Sequence, residues 1–311
     1  MSLLKNSLLG FIVGDAMGVP IEFKTRETLK NYPLTQMVGY GTYNEPVGTW
    51  SDDSSMTIAT IESLIEKESI DYHDIATKFC EWVNCSKFTA TDHLFDIGIT
   101  TKYSLIRFFV DKIEATKCGG TNEYENGNGS LMRIMPIVLY SYYKNLNDDQ
   151  LYEVIKNTSS ITHAHQISIL GCFIYAIFLL KFIKSNNLYE SYQLIKRYNF
   201  QKYFDKHTIS YYNKILNDNI ENYQENEIKS SGFIVHTLES VFWVILNTNN
   251  YKDAIIKAIN LGEDTDTIGA ITGSIAGLIY GFENIPIEWI NQLQKLDYIK
   301  LIIDKWDNIY N

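Results

Sequence analysis

The sequence feature that most constrains the fold is a run of glycines at every fourth position of an apolar segment. In "LGEDTDTIGAITGSIAGLIYG", residues 261–281, glycine recurs at positions 269, 273, 277 and 281. This spacing places the glycines on one face of a helix, because side chains four residues apart lie above one another. A face without side chains lets a second helix approach closely. The segment is too short to span a membrane, so we expect the central helix of a bundle.

Helical periodicity extends along the whole chain. Apolar residues recur at i, i+3 and i+4 in most segments, and the sequence shows no convincing series of alternating strands. We therefore predict an all-α fold, a large orthogonal multi-helix bundle that forms a single domain over residues 1–311. The predicted helices are Leu3–Met17, Ser54–Glu66, Tyr72–Asn84, Ile97–Val110, Leu131–Tyr143, Asp149–Lys156, His163–Lys184, Leu188–Tyr198, Ile209–Leu216, Gly232–Leu246, Lys252–Leu261, Thr267–Tyr280 and Ile287–Leu293.

Charge and composition exclude several classes of function. The net charge of -10 argues against a broad nucleic-acid-binding face, since phosphate backbones require a basic surface. The most hydrophobic segment, Ile167–Leu180, is shorter than the roughly 20 residues of a membrane span, so we expect a buried helix and no membrane partner. Asp15 interrupts the apolar N-terminus, which therefore does not resemble a signal peptide. The four cysteines lack metal-ligand spacing, so we expect buried, reduced thiols in a cytoplasmic protein.

Three separated segments bring carboxylate and hydroxyl side chains to helix ends or turns. They are Glu22 after the turn at Gly18 and Pro20; Ser51, Asp52 and Asp53 ahead of one apolar helix; and Asp264 and Asp266 ahead of the glycine-bearing helix. Such oxygens are hard ligands that suit Mg²⁺, Mn²⁺ or Ca²⁺. If the segments meet in space, their repulsion favours a site for two divalent cations. The alternative is that the aspartates only cap helix N-termini.

The chain resembles the ADP-ribosylglycohydrolase family, which includes the dinitrogenase reductase-activating glycohydrolase and the ADP-ribosyl-arginine and ADP-ribosyl-serine hydrolases. Each matching motif is weak alone, but their order and spacing are specific, and together they cover almost the whole chain. The motifs are "GDAMGVPIEF" (14–23), "GTWSDDSSM" (48–56), "FDIGITT" (95–101), "NGNGSLMRIMPI" (126–137), "TH" (162–163) and "NLGEDTDTIGAITGSIAG" (260–277).

The resemblance implies an all-α hydrolase with two divalent cations, Mg²⁺ or Mn²⁺, at helix ends. Its expected substrate is an ADP-ribosylated protein, linked through arginine or serine, or a small ADP-ribosyl conjugate. Metal-activated water would attack C1″ of the ribose, where oxocarbenium character develops, and Glu22 or Asp96 would move the proton. The implied metal ligands are Glu22, Ser51, Asp52, Asp53, Asp264, Asp266 and Thr267. The implied substrate contacts are Asp96, Gly127, Asn128, Gly129, Ser130, Met132 and His163.

Several of these residues also have an ordinary structural interpretation. Asp96 could be the N-cap of the helix that follows it. The loop at 126–130 could be a glycine turn, although a helix starting at Ser130 or Leu131 would offer amide groups to a pyrophosphate. Arg133 is better interpreted as a member of a structural ion pair than as a phosphate clamp. Zinc binding by His163 and His165 is not expected, because residues two apart on a helix do not face each other.

Two positions depart from the common family pattern. Glu263 stands where a second glycine is usual, and Ser54 stands where threonine is usual. Because the expected metal-ligand chemistry is intact, we predict an active hydrolase. The alternatives are a non-catalytic member that binds ADP-ribose and a metal-dependent nucleotide phosphoesterase.

Overall fold

The all-α prediction is confirmed by the computed structural model, which describes residues 2–310. Within that range there are sixteen α-helices and no strand, and three isolated β-bridges join loops. The helices are α1 (Leu3–Gly18), α2 (Arg26–Asn31), α3 (Asp52–Lys67), α4 (Tyr72–Cys85), α5 (Ile99–Phe109), α6 (Met135–Tyr143), α7 (Asp148–Ser159), α8 (Gln166–Ser185), α9 (Leu188–Lys196), α10 (Lys206–Ser210), α11 (Asn213–Leu216), α12 (Ile234–Leu246), α13 (Tyr251–Ile259), α14 (Thr265–Tyr280), α15 (Ile287–Gln292) and α16 (Leu296–Tyr310).

Some predicted helix boundaries were wrong. Helices α2 and α16 were not predicted, although α16 has an apolar stripe that ends at the fully buried Trp306. The helix expected from Leu131 begins only at Met135, and the one expected from His163 begins at Gln166. The later start of α8 has a local cause, because Gly120 pairs with the residues on either side of His163. Its amide donates to the Thr162 carbonyl at 2.9 Å, and its carbonyl accepts from the Ala164 amide at 2.8 Å.

The glycine face of α14 packs against a second glycine face on α1. A Cβ atom on Gly14 would lie 2.0 Å from the Gly269 carbonyl oxygen, and one on Gly273 would lie 2.1 Å from that of Gly10. No real Cβ atom tolerates such distances, so the two backbones are in direct contact. Gly281 is not part of this face, since it ends α14 with a φ of 82°.

Buried side-chain hydrogen bonds fix the register of this helix pair. The Ser7 and Ser274 hydroxyls lie 2.7 Å apart, and the Thr265 hydroxyl donates to the Gly18 carbonyl at 2.8 Å. Because a shift of one helix along the other would break both bonds and leave buried polar groups unpaired, the pair has little freedom to slide. The register leaves Asp15 of α1 and Asp266 of α14 at the same end of the pair.

Asp15 also holds the N-terminus of α3. Its carboxylate accepts hydrogen bonds from the backbone amides of Ser51 and Ser54, each at 3.0 Å, and from the Ser54 hydroxyl at 2.5 Å. Helix N-termini leave amide donors unpaired, so a buried carboxylate from a neighbouring helix is an effective cap. These hydrogen bonds place Asp52 and Asp53, the first residues of α3, beside the α1–α14 pair.

The longest helix, α8, is strongly apolar and lies in the core. It has 20 residues and a mean hydropathy of 2.0 over its most apolar 18 residues, which is the length and composition of a membrane span, but 78% of that stretch is buried inside the protein. The helix extends beyond the apolar run Ile167–Leu180, since it begins at Gln166 and ends at Ser185. Buried apolar side chains form one continuous cluster across the described chain. Three of the four free cysteines are buried as expected, whereas Cys85 is exposed.

We predict that Gly14→Ala destabilises the protein, because its methyl group would force α1 and α14 apart. Overpacking of this kind costs about 1–3 kcal/mol in the free energy of unfolding, measured by chemical denaturation. Gly127→Ala is the control, since its Cβ would meet its nearest neighbour at an ordinary 3.5 Å. A Gly14→Ala protein as stable as the control would contradict the close contact.

Candidate active site

A cleft of about 610 Å³ opens where the acidic segments meet at the end of the α1–α14 pair. Its walls come from the turn after α1, the starts of α3, α5 and α14, and the loops before α6 and α12. The lining residues are Glu22, Phe23, Asp52, Asp96, Ile97, Gly98, Ile99, Thr100, Thr101, Gly127, Asn128, Gly129, Met132, His163, Ser231, Gly232, Glu263, Asp264, Asp266 and Thr267. Most of the residues predicted to bind metal or substrate therefore share one cleft.

Carboxylate oxygens form two groups that share Asp266. In the first group, oxygens of Asp15, Asp53 and Asp266 all lie within 4.8 Å of one another, and in the second the same holds for Glu22, Asp96 and Asp266. Asp53 itself is positioned by two hydroxyls: that of Ser51 donates to it at 3.0 Å and that of Thr267 at 3.2 Å. The helix starts thus converge as the sequence predicted. Asp15 was not among the predicted site residues.

Burial and mutual repulsion raise the pKa values of these carboxyl groups. Removal from water is the largest cause for Asp52, Asp53 and Asp266, and the pKa of each lies well above its usual value. Burial together with the charge of Asp96 raises the pKa of Glu22 to about 8. Burial raises the pKa of Asp15 to about 6, although its hydrogen bonds to Ser54 and Ser51 oppose the shift.

The carboxylate groups fit divalent cations. One buried oxygen each of Glu22, Asp53 and Asp266 lacks a hydrogen-bond partner within the described residues. Buried unpaired carboxylate oxygens are rare, because each costs free energy unless a donor or a cation satisfies it. Hard oxygen donors from several helix ends are the ligands that Mg²⁺ and Mn²⁺ prefer.

Helix capping does not account for the aspartates of α14. Asp264 occupies the N-cap position but makes no side-chain capping hydrogen bond. Its carboxylate instead accepts a hydrogen bond of 2.6 Å from the side-chain amide of Asn128. Ser51 does cap α3, since its hydroxyl accepts from the Asp53 amide at 3.2 Å. At the start of α3 the cap is thus a serine, and the capping interpretation offered for the aspartates does not hold for Asp264.

Asp96 lies in the cleft and is not a helix cap. The N-cap of α5 is Gly98, two residues further on. The hydroxyl of Tyr43 lies close enough to the carboxylates of Asp96 and Glu22 to influence the pKa of each. Burial raises the pKa of Tyr43 above its ordinary value, so the phenol stays protonated and can donate. The sequence reasoning missed Tyr43, because nothing local to its loop marks it.

The loop at 126–130 is pinned to the start of α12. The Asn128 amide donates to the Gly232 carbonyl, and the Ile234 amide to that of Asn126, each at 3.0 Å. Since α6 begins at Met135, no α-helix starts at Ser130 to offer its amides to a pyrophosphate, and residues 128–130 form a 3-10 turn instead. The Ser130 hydroxyl lies beneath the cleft and accepts a hydrogen bond from Ser159 at 2.9 Å.

His163 is a buried, neutral member of the cleft wall. Burial, with the nearby charge of Arg133, lowers the pKa of His163 to about 3. Its Nδ1 atom lies 2.9 Å from the Thr162 hydroxyl. His165 does not share a ligand site with it, since the Nδ1 of His165 caps α8.

Arg133 is neither an ion-pair member nor a phosphate clamp. It is fully buried, donates to the Thr158 carbonyl and the Thr162 hydroxyl, and lies 4.8 Å from the Phe79 ring centroid. It has no ion-pair partner within residues 2–310, and it does not line the cleft. The ion pair predicted from the sequence is therefore wrong. Its side chain supports Thr162 and hence the segment that carries His163.

Glu263 lies at the cleft wall in a conformation that favours glycine. Its φ is 63°, in the left-handed region that glycine adopts without strain. Two backbone hydrogen bonds hold it there: its amide donates to the Lys24 carbonyl at 2.9 Å, and its carbonyl accepts from Phe23 at 2.7 Å. Glu263 thus ties the start of α14 to the segment that carries Glu22. Ser54, the second departure from the family pattern, keeps the hydroxyl group of the usual threonine and donates it to the Asp15 carboxylate.

This architecture and cleft define a class: all-α proteins with a carboxylate-lined site at helix ends. A sequence model of the ADP-ribosylglycohydrolase family matches residues 2–310. The chain is 31% identical to the ADP-ribosylarginine hydrolase Tri1 of Serratia proteamaculans, over 97% of this chain and 78% of that protein. It is 28% identical to the ADP-ribosyl-[dinitrogen reductase] glycohydrolase of Rhodospirillum rubrum, over 92% of this chain and 88% of that one. A solved structure, described as an ADP-ribosylglycohydrolase-related protein complex, superposes with a TM-score of 0.82 at 23% identity, covering 100% of this chain and 98% of that one.

The chain therefore belongs to the ADP-ribosylglycohydrolase family, as the six motifs indicated. It is a hydrolase that acts on ADP-ribose conjugates.

We predict that the metal-free protein loses stability as pH rises from about 4 to about 8. The carboxyl groups have higher pKa values in the folded than in the unfolded state, so the folded protein binds more protons across this window. Each retained proton contributes a slope of about -1.4 kcal/mol per pH unit to the free energy of unfolding. Denaturation in a chelator-containing buffer at several pH values measures this slope. Asp52→Asn/Asp266→Asn should flatten it, and a metal-free slope of zero or above would contradict the assignment.

Proposed function

We propose that the protein removes ADP-ribose from a modified protein side chain, by hydrolysis at C1″ of the ribose with the help of divalent cations. The observation that carries this proposal is the convergence of Glu22, Asp96 and Asp266 on one cleft, with the buried Asp53 carboxylate grouped with that of Asp266. One buried oxygen each of Glu22, Asp53 and Asp266 lacks a hydrogen-bond partner within the described residues. The names of the arginine-directed and dinitrogen reductase-directed relatives support a protein-linked substrate. We propose an intracellular location, where such substrates and reduced thiols occur.

Seven residues would hold two cations: Glu22, Ser51, Asp52, Asp53, Asp264, Asp266 and Thr267. Bound there, Mg²⁺ or Mn²⁺ would supply positive charge to an anionic ligand and lower the pKa of a water molecule. This would reconcile the net charge of -10 with a substrate that carries a pyrophosphate. Asp15 would act indirectly, since it anchors the start of α3, which presents Asp53.

Glu22 and Asp96 are the candidates for proton transfer. Both lie at the cleft wall on the side of Tyr43, and burial raises the pKa of each. A carboxyl group with a pKa near neutrality can take a proton from water or give one to a leaving group. The Tyr43 hydroxyl would orient whichever of the two is charged. Asn128, Gly127, Gly129, Met132 and His163 would then bind the rest of the nucleotide along the opposite wall, where the glycines permit close backbone approach.

Cation binding should stabilise the fold. Addition of Mg²⁺ or Mn²⁺ at pH 8 should raise the melting temperature, and at 100 times the dissociation constant the gain is about 2.7 kcal/mol. Sodium chloride at equal ionic strength is the control for screening. The gain should vanish in Asp52→Asn/Asp266→Asn. A melting temperature that responds equally to sodium and to magnesium or manganese would refute cation binding at this site.

The activity test uses defined arginine-linked and serine-linked ADP-ribosyl peptides with Mg²⁺ or Mn²⁺, analysed by chromatography. We expect free ADP-ribose from at least one peptide. Asp52→Asn/Asp266→Asn should lower the rate by about 100-fold or more, since loss of charge stabilisation in a site that excludes water has this effect. Asp297→Asn/Asp304→Asn removes two charges from exposed positions of α16 and should leave the rate unchanged.

The products separate the alternatives. Release of AMP would indicate a nucleotide phosphoesterase, whereas binding of ADP-ribose without turnover would indicate a non-catalytic member. Unchanged turnover in the Asp52→Asn/Asp266→Asn protein would disprove the site assignment. The relative rates on the two peptides would identify the linkage.

A further inference from the structure

Helix α5 carries an apolar stripe that the described chain leaves largely exposed. Its members recur at intervals of three or four residues, so they lie along one face of the helix. We define the α5 stripe as Ile99, Tyr103, Ile106, Phe109 and Val110, whose exposed fractions are 75%, 58%, 40%, 53% and 64%. Contiguous exposed apolar surface of this kind usually marks a site of interaction.

The stripe is not needed to hold α5 in place. The opposite face of the helix already packs into the protein through Leu105 and Phe108, and through Ser104, whose hydroxyl donates to the Thr162 carbonyl at 2.9 Å. An amphipathic surface helix needs one such face, whereas α5 has two. The outer face therefore serves something other than folding of this chain.

The stripe begins at the mouth of the cleft. Ile99 is its first member and also lines the cleft, together with Thr100 and Thr101 of the same helix turn. From there, α5 extends about 16 Å, at about 1.5 Å for each of its 11 residues. At the far end, Phe109 lines a second cavity of about 600 Å³ between α4 and the segment after α5, with Cys80 and Phe108 in its wall. The exposed apolar residues of α5 thus extend from the cleft to this cavity.

We propose that the α5 stripe docks the ADP-ribosylated protein, through apolar surface next to its modified side chain. This inference rests on the proposed function. A cleft of about 610 Å³ accommodates a nucleotide but not the protein attached to it, so that protein must lie against the mouth. The stripe is the apolar surface that leads away from the mouth.

The charges around the stripe indicate the kind of surface it fits. Lys102 is exposed within the stripe, and Arg107 and Lys112 flank it, against one acidic residue, Asp111, at its far end, in a chain whose net charge is -10. Complementary charge favours a partner surface that is apolar at its centre and neutral or acidic at its rim. The stripe would raise the affinity for the whole protein without touching the reacting atoms.

The test compares intact substrates with their own fragments. A protein extract is radiolabelled with ADP-ribose on arginine or serine, whichever linkage the wild-type protein hydrolyses, and half of it is digested completely to peptides. The variant Tyr103→Ser/Val110→Ser removes two exposed side chains of the stripe that do not line the cleft. The control variant, Tyr189→Ser/Leu301→Ser, removes two exposed apolar side chains elsewhere, 61% and 50% exposed. Thermal unfolding checks that all three proteins are folded.

We expect the stripe variant to raise the KM for the intact proteins by roughly tenfold, the scale of effect when anchoring side chains are truncated at an interface. Its rate on the digest and its kcat should match those of the wild type and the control variant. Equal rates of the stripe variant and wild type on intact proteins would overturn the proposal. So would an equal loss on both substrates.

Two other results are distinguishable. Light scattering that shows a wild-type dimer and a monomeric stripe variant, with unchanged rates, would assign the stripe to a contact between two copies and overturn the proposal. A wild-type protein that releases ADP-ribose from neither extract nor digest would instead refute the proposed function on which the inference rests.

Discussion

Direct backbone contact between α1 and α14 is the constraint on which the rest of the structure depends. Glycines remove the side chains from both facing surfaces, so that carbonyl oxygens of one helix lie where Cβ atoms of the other would be. The contact brings Asp15 and Asp266 to the same end of the pair, although about 250 residues separate them along the chain. Asp15 then caps α3 and delivers Asp52 and Asp53 to the same place. A packing interaction therefore builds a chemical site.

The site concentrates negative charge in a region of low polarity. Burial is the largest cause of every raised carboxyl pKa around the cleft, and repulsion among the carboxylates adds to it. Such an arrangement opposes folding unless protons or cations neutralise it. The α1–α14 contact and the large apolar core offset the unfavourable free energy of the carboxylate cluster. This unfavourable free energy arises at the place where an anionic nucleotide would need positive charge. Stability and function are therefore in conflict at this site.

The helices near the site were predicted where local patterns were strong. The glycine spacing identified α14 as a close-packed helix, and the hydroxyl and carboxylate clusters identified the helix starts. The same spacing of glycines at positions 10, 14 and 18 was present in α1 but was not used. Tyr43 and the buried Arg133 had no recognisable local signal, because their roles depend on neighbours distant along the chain. The helix start expected at Ser130 was wrong, since pairing with Gly232 and Ile234 holds the loop out of a helix.

The sequence by itself determined the helical class, the family, and most of the carboxylates that meet at the cleft, because periodicity and motif order are properties of the chain. Tertiary structure alone decided which carboxylates share a group, that Asp15 joins them, and that Asp96 faces Tyr43 and is not a cap. It also decided that one face of α5 stays uncovered. The reason is distance along the chain: the bond between Thr267 and Asp53 joins residues 214 apart, and no local pattern specifies such a pairing.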